Sequence, residues 1–572
     1  MNFNILKAEV FGLLMLLAST TFAQKMSYTG CSDVTSADFT KVDLITSTAH
    51  QILEPIKMKI AEDGKIYWVE RRGLVRMWNP ADNKATTLLD LSKLAYWIPG
   101  TDLIPTETIP EGALRVEYGV VGIALDPNFK TNNWIYVNWA VKSKYAYRIS
   151  RFTLSNNALT GEQPIIEIPF SKEVIFHTAG GMAFDANNNL FIAVGNNTDN
   201  NGGVSNRDPD IATNYVNEKN IFGDDQRQTA NTNSLIGKIL RIHPKPLTGA
   251  PITDIGAGKT YDIPDGNLFP VDKFPADKTK PEIYTMGHRN PYTLNVDTFK
   301  GWVTWGEVGP DEWTATDSVK SEEHNLVTKP GFMGWPYFVG NNQRYRLNKD
   351  PLHPTNTSVN NTGLTDLPPA QPALHPYGHA AATSGPFYRY DGRLPSKTKL
   401  PPHFNKKWIL SDNSGGNGGY LEFADVNETG DTLGTINRMF RPQFLVEPLD
   451  LEIGPDGNLY ALEYGYQWWG NDNFTKISRL EYHGPACEVP TLYPGSVGIL
   501  GHKQLHGNTL NEVMLGFAGN MRVTLPEGTA GLQVFDIKGQ MVLEKHGFNK
   551  LGGWVDLQNQ IKAGVYRVKF LP

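Results

Sequence analysis

One pattern of apolar and polar positions recurs along the chain: a short apolar run, a turn rich in Gly, Asn or Asp, then an alternating, aromatic-rich run. It reads "KIAEDGKIYWVE" from Lys59, "IALDPNFKTNNWIYVNW" from Ile123 and "MAFDANNNLFIAVG" from Met182. It returns as "LNVDTFKGWVTWGEVG" from Leu294 and "LEIGPDGNLYALEYG" from Leu451. Turn residues that accept positive φ, followed by alternation at period two, predict a β-hairpin at each. Long amphipathic helices do not separate these units. The pattern therefore predicts an all-β chain, and a β-propeller with long inter-strand insertions accounts for it, because closing a ring hides the edge strands. An array of β-sandwiches is the other reading the pattern allows.

The character changes after Cys487. "EVPTLYPGSVGILGHKQLHGNTLNEV" is rich in turn residues and reads as a linker, and "GLQVFDIKGQMVLEKHGFNKLGGWVDLQNQIKAGVYRVKF" has short alternating strands. At the other end, Lys7 precedes the apolar run Val10–Leu17, and small residues follow at Thr21-Phe22-Ala23. This is the layout of a secretory signal peptide, and the run is too short to span a bilayer. The divisions expected are residues 1–23 as signal peptide, 24–486 as propeller, 487–505 as linker and 506–572 as a small C-terminal β-sandwich module. The mature chain is expected to be exported through the periplasm and to be secreted or held at the cell surface.

Composition narrows the classes. Among 572 residues there are 55 Gly and 38 Pro, as many short strands and tight turns require. The net charge of −6 lacks the clustered basic excess that nucleic acid needs, so no nucleic-acid partner is expected. With two cysteines a thiolate metal cluster is excluded; in an oxidising compartment Cys31 and Cys487 are expected to form a disulfide joining the first and last parts of one domain.

Six segments, in order, resemble the glucose/sorbosone dehydrogenase family: "EYGVVGIALDPNF" (Glu117–Phe129), "FHTAGGMAFD" (Phe176–Asp185), "IGKILRIHP" (Ile236–Pro244), "PEIYTMGHRNPYTL" (Pro281–Leu294), "GEVGPDE" (Gly306–Glu312) and "KPGFMGWPYF" (Lys329–Phe338). The resemblance covers roughly residues 45–480 and implies a soluble, six-bladed propeller that oxidises sugars with pyrroloquinoline quinone (PQQ) and Ca²⁺. The C-terminal module is similar, in "VFDIKGQMV" and "IKAGVYRVKF", to the sorting domain of the type IX secretion system, which implies the secretion machinery as a partner.

Oxidising a sugar C–OH needs a base for the hydroxyl proton while hydride leaves, and an imidazole suits that task. The resemblance implies that role for His177, in a loop with Ala179, Gly180 and Gly181; a loop histidine is otherwise an ordinary hydrogen-bonded group. It places Arg289 and Asn290 on the cofactor carboxylates, with Glu117 near them, and the backbone carbonyls of Gly309 and Pro310 on the calcium. Glu307, Asp311, Glu312, Glu322 and Glu323 offer further oxygens. The chain also departs from the pattern. Asn196 stands where an Asp is usual; it can orient an imidazole but carries no charge to stabilise imidazolium. Glu117 replaces a Gln, and "EPLD" (Glu447–Asp450) replaces an Arg-x-Arg that clamps PQQ carboxylates. The function expected is hydride transfer from a carbohydrate, aldose or oligosaccharide, to PQQ, with electrons passing to an external acceptor. A cofactor-free propeller binding glycan or protein through Glu447, Trp468 and Trp469, or a lyase or hydrolase acting on polysaccharide, are the alternatives.

Overall fold

The computed structural model describes residues 34–98, 116–171, 176–197, 224–249, 251–310, 321–345, 349–378, 381–413, 419–470 and 472–485, together with the strands between 512 and 571 and their flanks. The chain forms two compact units, one spanning Thr29–Cys487 and the other holding Glu488–Pro572. The expected signal peptide, the linker and the Cys31–Cys487 pair lie outside the described residues.

All five hairpins are present in the larger unit, and each supplies the first two strands of a sheet. The pairs are Pro55–Ile60 with Ile66–Glu70, Val120–Leu125 with Trp134–Val141, and Ala179–Phe184 with Leu190–Val194. Pro291–Asp297 with Trp302–Glu307, and Pro448–Ile453 with Leu459–Glu463, complete the set. A further sheet begins with Ala382–Phe387 and Trp408–Asp412. Its strands are joined through residues 388–407 rather than by a tight turn, which is why the sequence pattern misses it. Each sheet grows outward by antiparallel pairing to at least four strands.

The first strand of every sheet packs against the first strands on either side, and that of the sheet starting at Pro448 packs against the one starting at Pro55. At this seam the outermost strand comes from the opposite end of the unit: Phe39–Thr46 pairs with Lys476–Tyr482, Phe39 opposite Tyr482. The second strands "IYWVE", "LFIAV" and "LYALE" are buried throughout, because each lies in a sheet covered on both faces by its neighbours. Trp68, Trp139, Trp305 and Trp408 fill the space between sheets. Near the centre the first strands come very close: a Cβ at Gly180 would lie 2.4 Å from the Val121 carbonyl oxygen, and the residue has φ +107°, so only glycine fits.

Four sheets share one device at the inner end. The second strand ends in a carboxylate that accepts amide hydrogens from the chain just before the first strand. Glu307 Oε1 takes the amides of Arg289 (2.8 Å) and Asn290 (2.7 Å), and Glu463 Oε2 takes that of Val446 (2.8 Å). Asp412 accepts from Ala381, and Glu70 from Leu53. Trp68 and Trp305 each donate an indole N–H at 3.0 Å to the carboxylate two residues on, so strand and clamp come from one Trp-x-Glu pattern.

In the smaller unit, Glu512–Phe517, Gly564–Leu571, Gly531–Phe535 and Met541–His546 form an antiparallel sheet in that order, and Arg522–Leu525 pairs with Gly553–Asp556. Leu532, Val534, Leu557 and Val568 form its core.

Glu463→Ala should lower unfolding free energy by about 2–4 kcal/mol, since a buried amide and the Ser478 hydroxyl lose their acceptor and Lys41 keeps only the Phe444 carbonyl. Glu428→Ala, which removes an exposed carboxylate paired with Lys300 and Lys406, should change it by less than about 0.5 kcal/mol; urea unfolding of both checks this.

The strand Glu322–Val327 generates a pH prediction, because its "EEHN" is wholly buried. Burial, then the charge of Glu307, pushes Glu323 up to about 8, and burial, then His375, pushes His324 down to about 4. The folded chain therefore keeps the Glu323 proton where the unfolded chain has lost it, and stability falls as pH rises toward 8. Below about 6.5 the unfolded chain gains a proton on His324 that the fold refuses, which opposes that slope. Lys57, lowered by burial to about 7, adds a slope of the opposite sign above that pH, so the test is a difference: between pH 6.5 and 8 the melting temperature of Glu323→Gln should rise relative to that of the unchanged chain, and a constant difference would refute the assignment.

Candidate functional site

The lead-in to the third sheet holds two non-glycine residues in left-handed conformations, His177 (φ 62°) and Ala179 (φ 52°). Each costs roughly 1–2 kcal/mol, so the surroundings must impose it. Glu117 Oε2 accepts the amides of His177 (2.7 Å) and Thr178 (3.3 Å), and Asn290 Oδ1 accepts that of Ala179 (3.0 Å). A Cβ at Gly195 would stand 2.0 Å from the His177 carbonyl oxygen, so glycine there lets the next strand pass close beneath the histidine.

His177 Nδ1 lies 2.6 Å from Asn196 Oδ1. Asn196 Nδ2 donates to both oxygens of Asp225, at 3.1 and 3.2 Å, and Asp225 Oδ2 also accepts from the Trp335 indole at 2.7 Å. Because a carboxylate only accepts, the amide nitrogen of Asn196 faces Asp225 and its oxygen faces the ring. That oxygen only accepts in turn, so Nδ1 carries the imidazole proton and Nε2 keeps its lone pair. Burial, then the nearby Arg289 charge, holds His177 well below the usual histidine range, so the ring is neutral at physiological pH. A charge does stand behind the imidazole after all, one amide removed. Sequence reasoning missed Asp225 because it sits at the start of the short helix Asp225–Gln228, in a segment that carries no motif.

Beside this chain of contacts lies a central cavity of about 150 Å³. Its apolar walls are Ile56, Val121, Val308, Ala381 and Leu449, and its aromatic ones Tyr292, Tyr464, Trp468 and Trp469. Arg71, Glu117, Thr178, Asn290, Thr383 and Asn413 supply the polar groups. His177 is only 4% exposed and sits next to this wall rather than in it. Of the expected cofactor contacts, Glu117 and Asn290 line the cavity. Arg289 is buried and gives its Nη1 hydrogen bond to the Val308 carbonyl at 3.0 Å, behind the wall.

Arg71, which no motif marked, is the cation in the wall. Its Nε donates to Glu54 at 2.7 Å, its Nη1 to the Trp97 and Val116 carbonyls, and its guanidinium covers the Trp469 ring at 4.6 Å. Arg72 shares the same Glu54, so two guanidiniums face one carboxylate. Behind Tyr292, the Lys57 ammonium lies 3.6 Å from the ring centroid and donates to the Leu449 carbonyl; burial lowers it to about 7.

Gly309 directly follows Val308 in the chain. Its amide donates to Glu322 Oε1 at 3.0 Å, and a Cβ there would meet the Ser321 carbonyl at 2.2 Å. Glu307, Glu322 and Glu323 lie in buried strands rather than in a surface loop, and they accept hydrogen bonds from amides and side chains of the fold. Asp311 and Glu312 lie outside the described residues, and no group of three or more His, Cys, Asp or Glu side chains placed to hold a metal occurs among the described ones.

PQQ is flat, carries three carboxylates and presents adjacent quinone oxygens. Against it the cavity sets aromatic walls, the Arg71 guanidinium, the Asn413 amide and the Thr383 hydroxyl, which is buried, faces the cavity wall and has no protein partner. The buried Ser321 hydroxyl beside Gly309 is likewise without a protein partner, and hydroxyl and carbonyl oxygens are what a hard cation takes. The donor set fits both groups.

The chain is 22% identical over 317 residues to the quinoprotein glucose dehydrogenase B of Acinetobacter calcoaceticus, covering 53% of this chain and 54% of that protein. It is 27% identical over 288 residues to an uncharacterized protein of Synechocystis, covering 49% and 56%. The chain thus spans about half the length of the curated relatives it matches. Among solved structures, a putative oxidoreductase (glucose dehydrogenase) of Thermus thermophilus superposes with a TM-score of 0.51 at 18% identity, over 77% of this chain and 99% of that one. The family pattern of glucose/sorbosone dehydrogenases matches residues 52–395, more than half of the sequence, and the chain belongs to that family.

Proposed function

We propose that the larger unit is a six-bladed β-propeller sugar dehydrogenase that uses PQQ and Ca²⁺, exported and carried to the cell surface with its C-terminal module, a β-sandwich, as the sorting signal. The observation that carries the reading is the His177–Asn196–Asp225 chain, which fixes a neutral imidazole beside a cavity fitted for a flat anion.

In this reading the cavity holds PQQ through Arg71, Asn290, Asn413 and Thr383, and the carbonyls of Gly309 and Pro310 hold Ca²⁺. PQQ, when bound, supplies an electron-deficient quinone able to take a hydride. The protein's own work is to position and deprotonate. Asn196 holds the Nδ1 proton of His177, so Nε2 accepts the proton of the sugar hydroxyl. Asp225 turns Asn196 toward the ring and, through the amide, favours the imidazolium formed as that proton arrives. The aromatic walls exclude water and accept the C–H face of the sugar. A reduced enzyme of this kind hands its electrons to an external acceptor. The replacement of Arg-x-Arg by Glu447–Asp450 favours a second reading, a cofactor-free glycan-binding propeller.

Purified protein given PQQ and Ca²⁺ should reduce a redox dye with aldoses or oligosaccharides and retain quinone absorbance after desalting. Neither turnover nor retained absorbance would leave the glycan-binding reading standing. His177→Ala should lower turnover by about 10²–10⁴-fold while PQQ stays bound. Asn196→Asp brings a carboxylate onto the imidazole and raises its pKa, so the acid limb of kcat should move to higher pH; Asp225→Asn should leave the fold intact and lower kcat. A pH profile identical in all three proteins would refute the relay.

A further inference from the structure

The loop Tyr464–Thr475, reading "YGYQWWGNDNFT", packs five aromatic residues into one connection. Folding ordinarily turns such rings inward, yet Tyr466, Trp468 and Phe474 are 47%, 51% and 45% exposed. Hydrogen bonds from the described residues of the loop hold this exposure in place. The Asp472 carboxylate accepts the amides of Tyr466 (2.8 Å), Gln467 (3.1 Å), Phe474 (2.8 Å) and Thr475 (3.1 Å). The Asp472 carbonyl accepts the Ser47 hydroxyl at 2.6 Å, and the Trp469 carbonyl accepts Arg72 Nη2 at 3.2 Å.

The rings form two pairs. Tyr464 and Trp468, 5.2 Å apart, are in the cavity wall; Tyr466 and Phe474, 5.0 Å apart and edge to face, lie outside it. Trp468 belongs to both the wall and the surface, and Tyr466 and Phe474 are exposed on the same loop. The exposed side chains of Gln467 and Asn473 flank them. Apolar ring faces bordered by neutral amides match a pyranose, which offers a C–H face and equatorial hydroxyls. The loop's one charge is that of Asp472, so it has no cation for an anionic lipid surface.

We propose that Tyr466, Trp468 and Phe474 form a sugar-binding platform continuous with the cavity, which makes an oligosaccharide the substrate: its reacting terminal unit occupies the cavity and the next units lie along the three rings. The inference rests on the sugar-oxidising reading for what fills the cavity. Binding on the platform itself needs no cofactor, so the two are separable.

The full chain, without cofactor, is titrated calorimetrically with α-1,4- and β-1,4-gluco-, xylo- and manno-oligosaccharides of increasing length. Affinity should rise about tenfold between one and three sugar units in at least one series. The double variant Tyr466→Ser/Phe474→Ser should keep its melting temperature and its affinity for the single sugar while losing that rise. Affinity independent of length in every series, or a rise that survives in the double variant, overturns the platform. A rise without dye reduction in the reconstituted enzyme keeps the platform and removes the dehydrogenase; oxidation of single sugars with no rise does the reverse.

Discussion

A buried carboxylate accepting backbone amides at the inner end of a sheet is the interaction on which the rest depends. The first strand of each sheet must enter the crowded centre through a sharp turn, where its leading N–H groups have neither strand partner nor water. An unpaired buried amide costs about 1–3 kcal/mol, and a carboxylate answers two at once with charge-assisted bonds. Glu70, Glu307, Asp412 and Glu463 do this at register positions opposite the start of the first strand: Pro55 faces Glu70, Pro291 faces Glu307, Ala382 faces Asp412 and Pro448 faces Glu463.

The catalytic candidate sits where that rule is broken. In the third sheet the equivalent position, opposite Ala179, is Val194, which accepts nothing through its side chain. The orphaned amides of His177 and Thr178 are met instead by Glu117, from the lead-in to the sheet before, and that of Ala179 by Asn290, from the sheet after. The left-handed backbone at His177 is thus held by its neighbours on both sides, while Asn196, just past the second strand, is left to orient the imidazole. A scaffold clamp and a catalytic support have exchanged places, and the motif residues Glu117, His177 and Asn290 are neighbours for that structural reason.

This explains what the sequence reveals. Hairpins announce themselves because turn and strand chemistry are local, and so five were legible; the one joined through residues 388–407 was not. The pairing of Phe39–Thr46 with Lys476–Tyr482 is invisible because its halves are separated by nearly the whole unit. Site residues divide in the same way. Those embedded in glycine-rich motifs could be read, because glycine records where backbones must pass closely. Asp225 and Arg71 act through side chains brought in from unrelated segments, and nothing in their local spacing marks them. The acidic cluster Glu307, Glu322 and Glu323 serves amides of the fold, since a buried carboxylate in a strand is accounted for by the nearest unpaired N–H.

The same geometry bears on the cofactor's charge. The positions where the resemblance leads one to look for cations, Glu447–Asp450, are acidic, yet burial and then Asp412 push Glu447 up to about 7, which reduces the negative charge it adds at neutral pH. The first strand of the sheet starting at Pro448 packs against that of the sheet starting at Pro55, and there stand Arg71, Arg72 and Lys57, with Lys57 bonded to the Leu449 carbonyl and the Met58 amide to Asp450. Of these cations only Arg71 lines the cavity, and both arginines share Glu54.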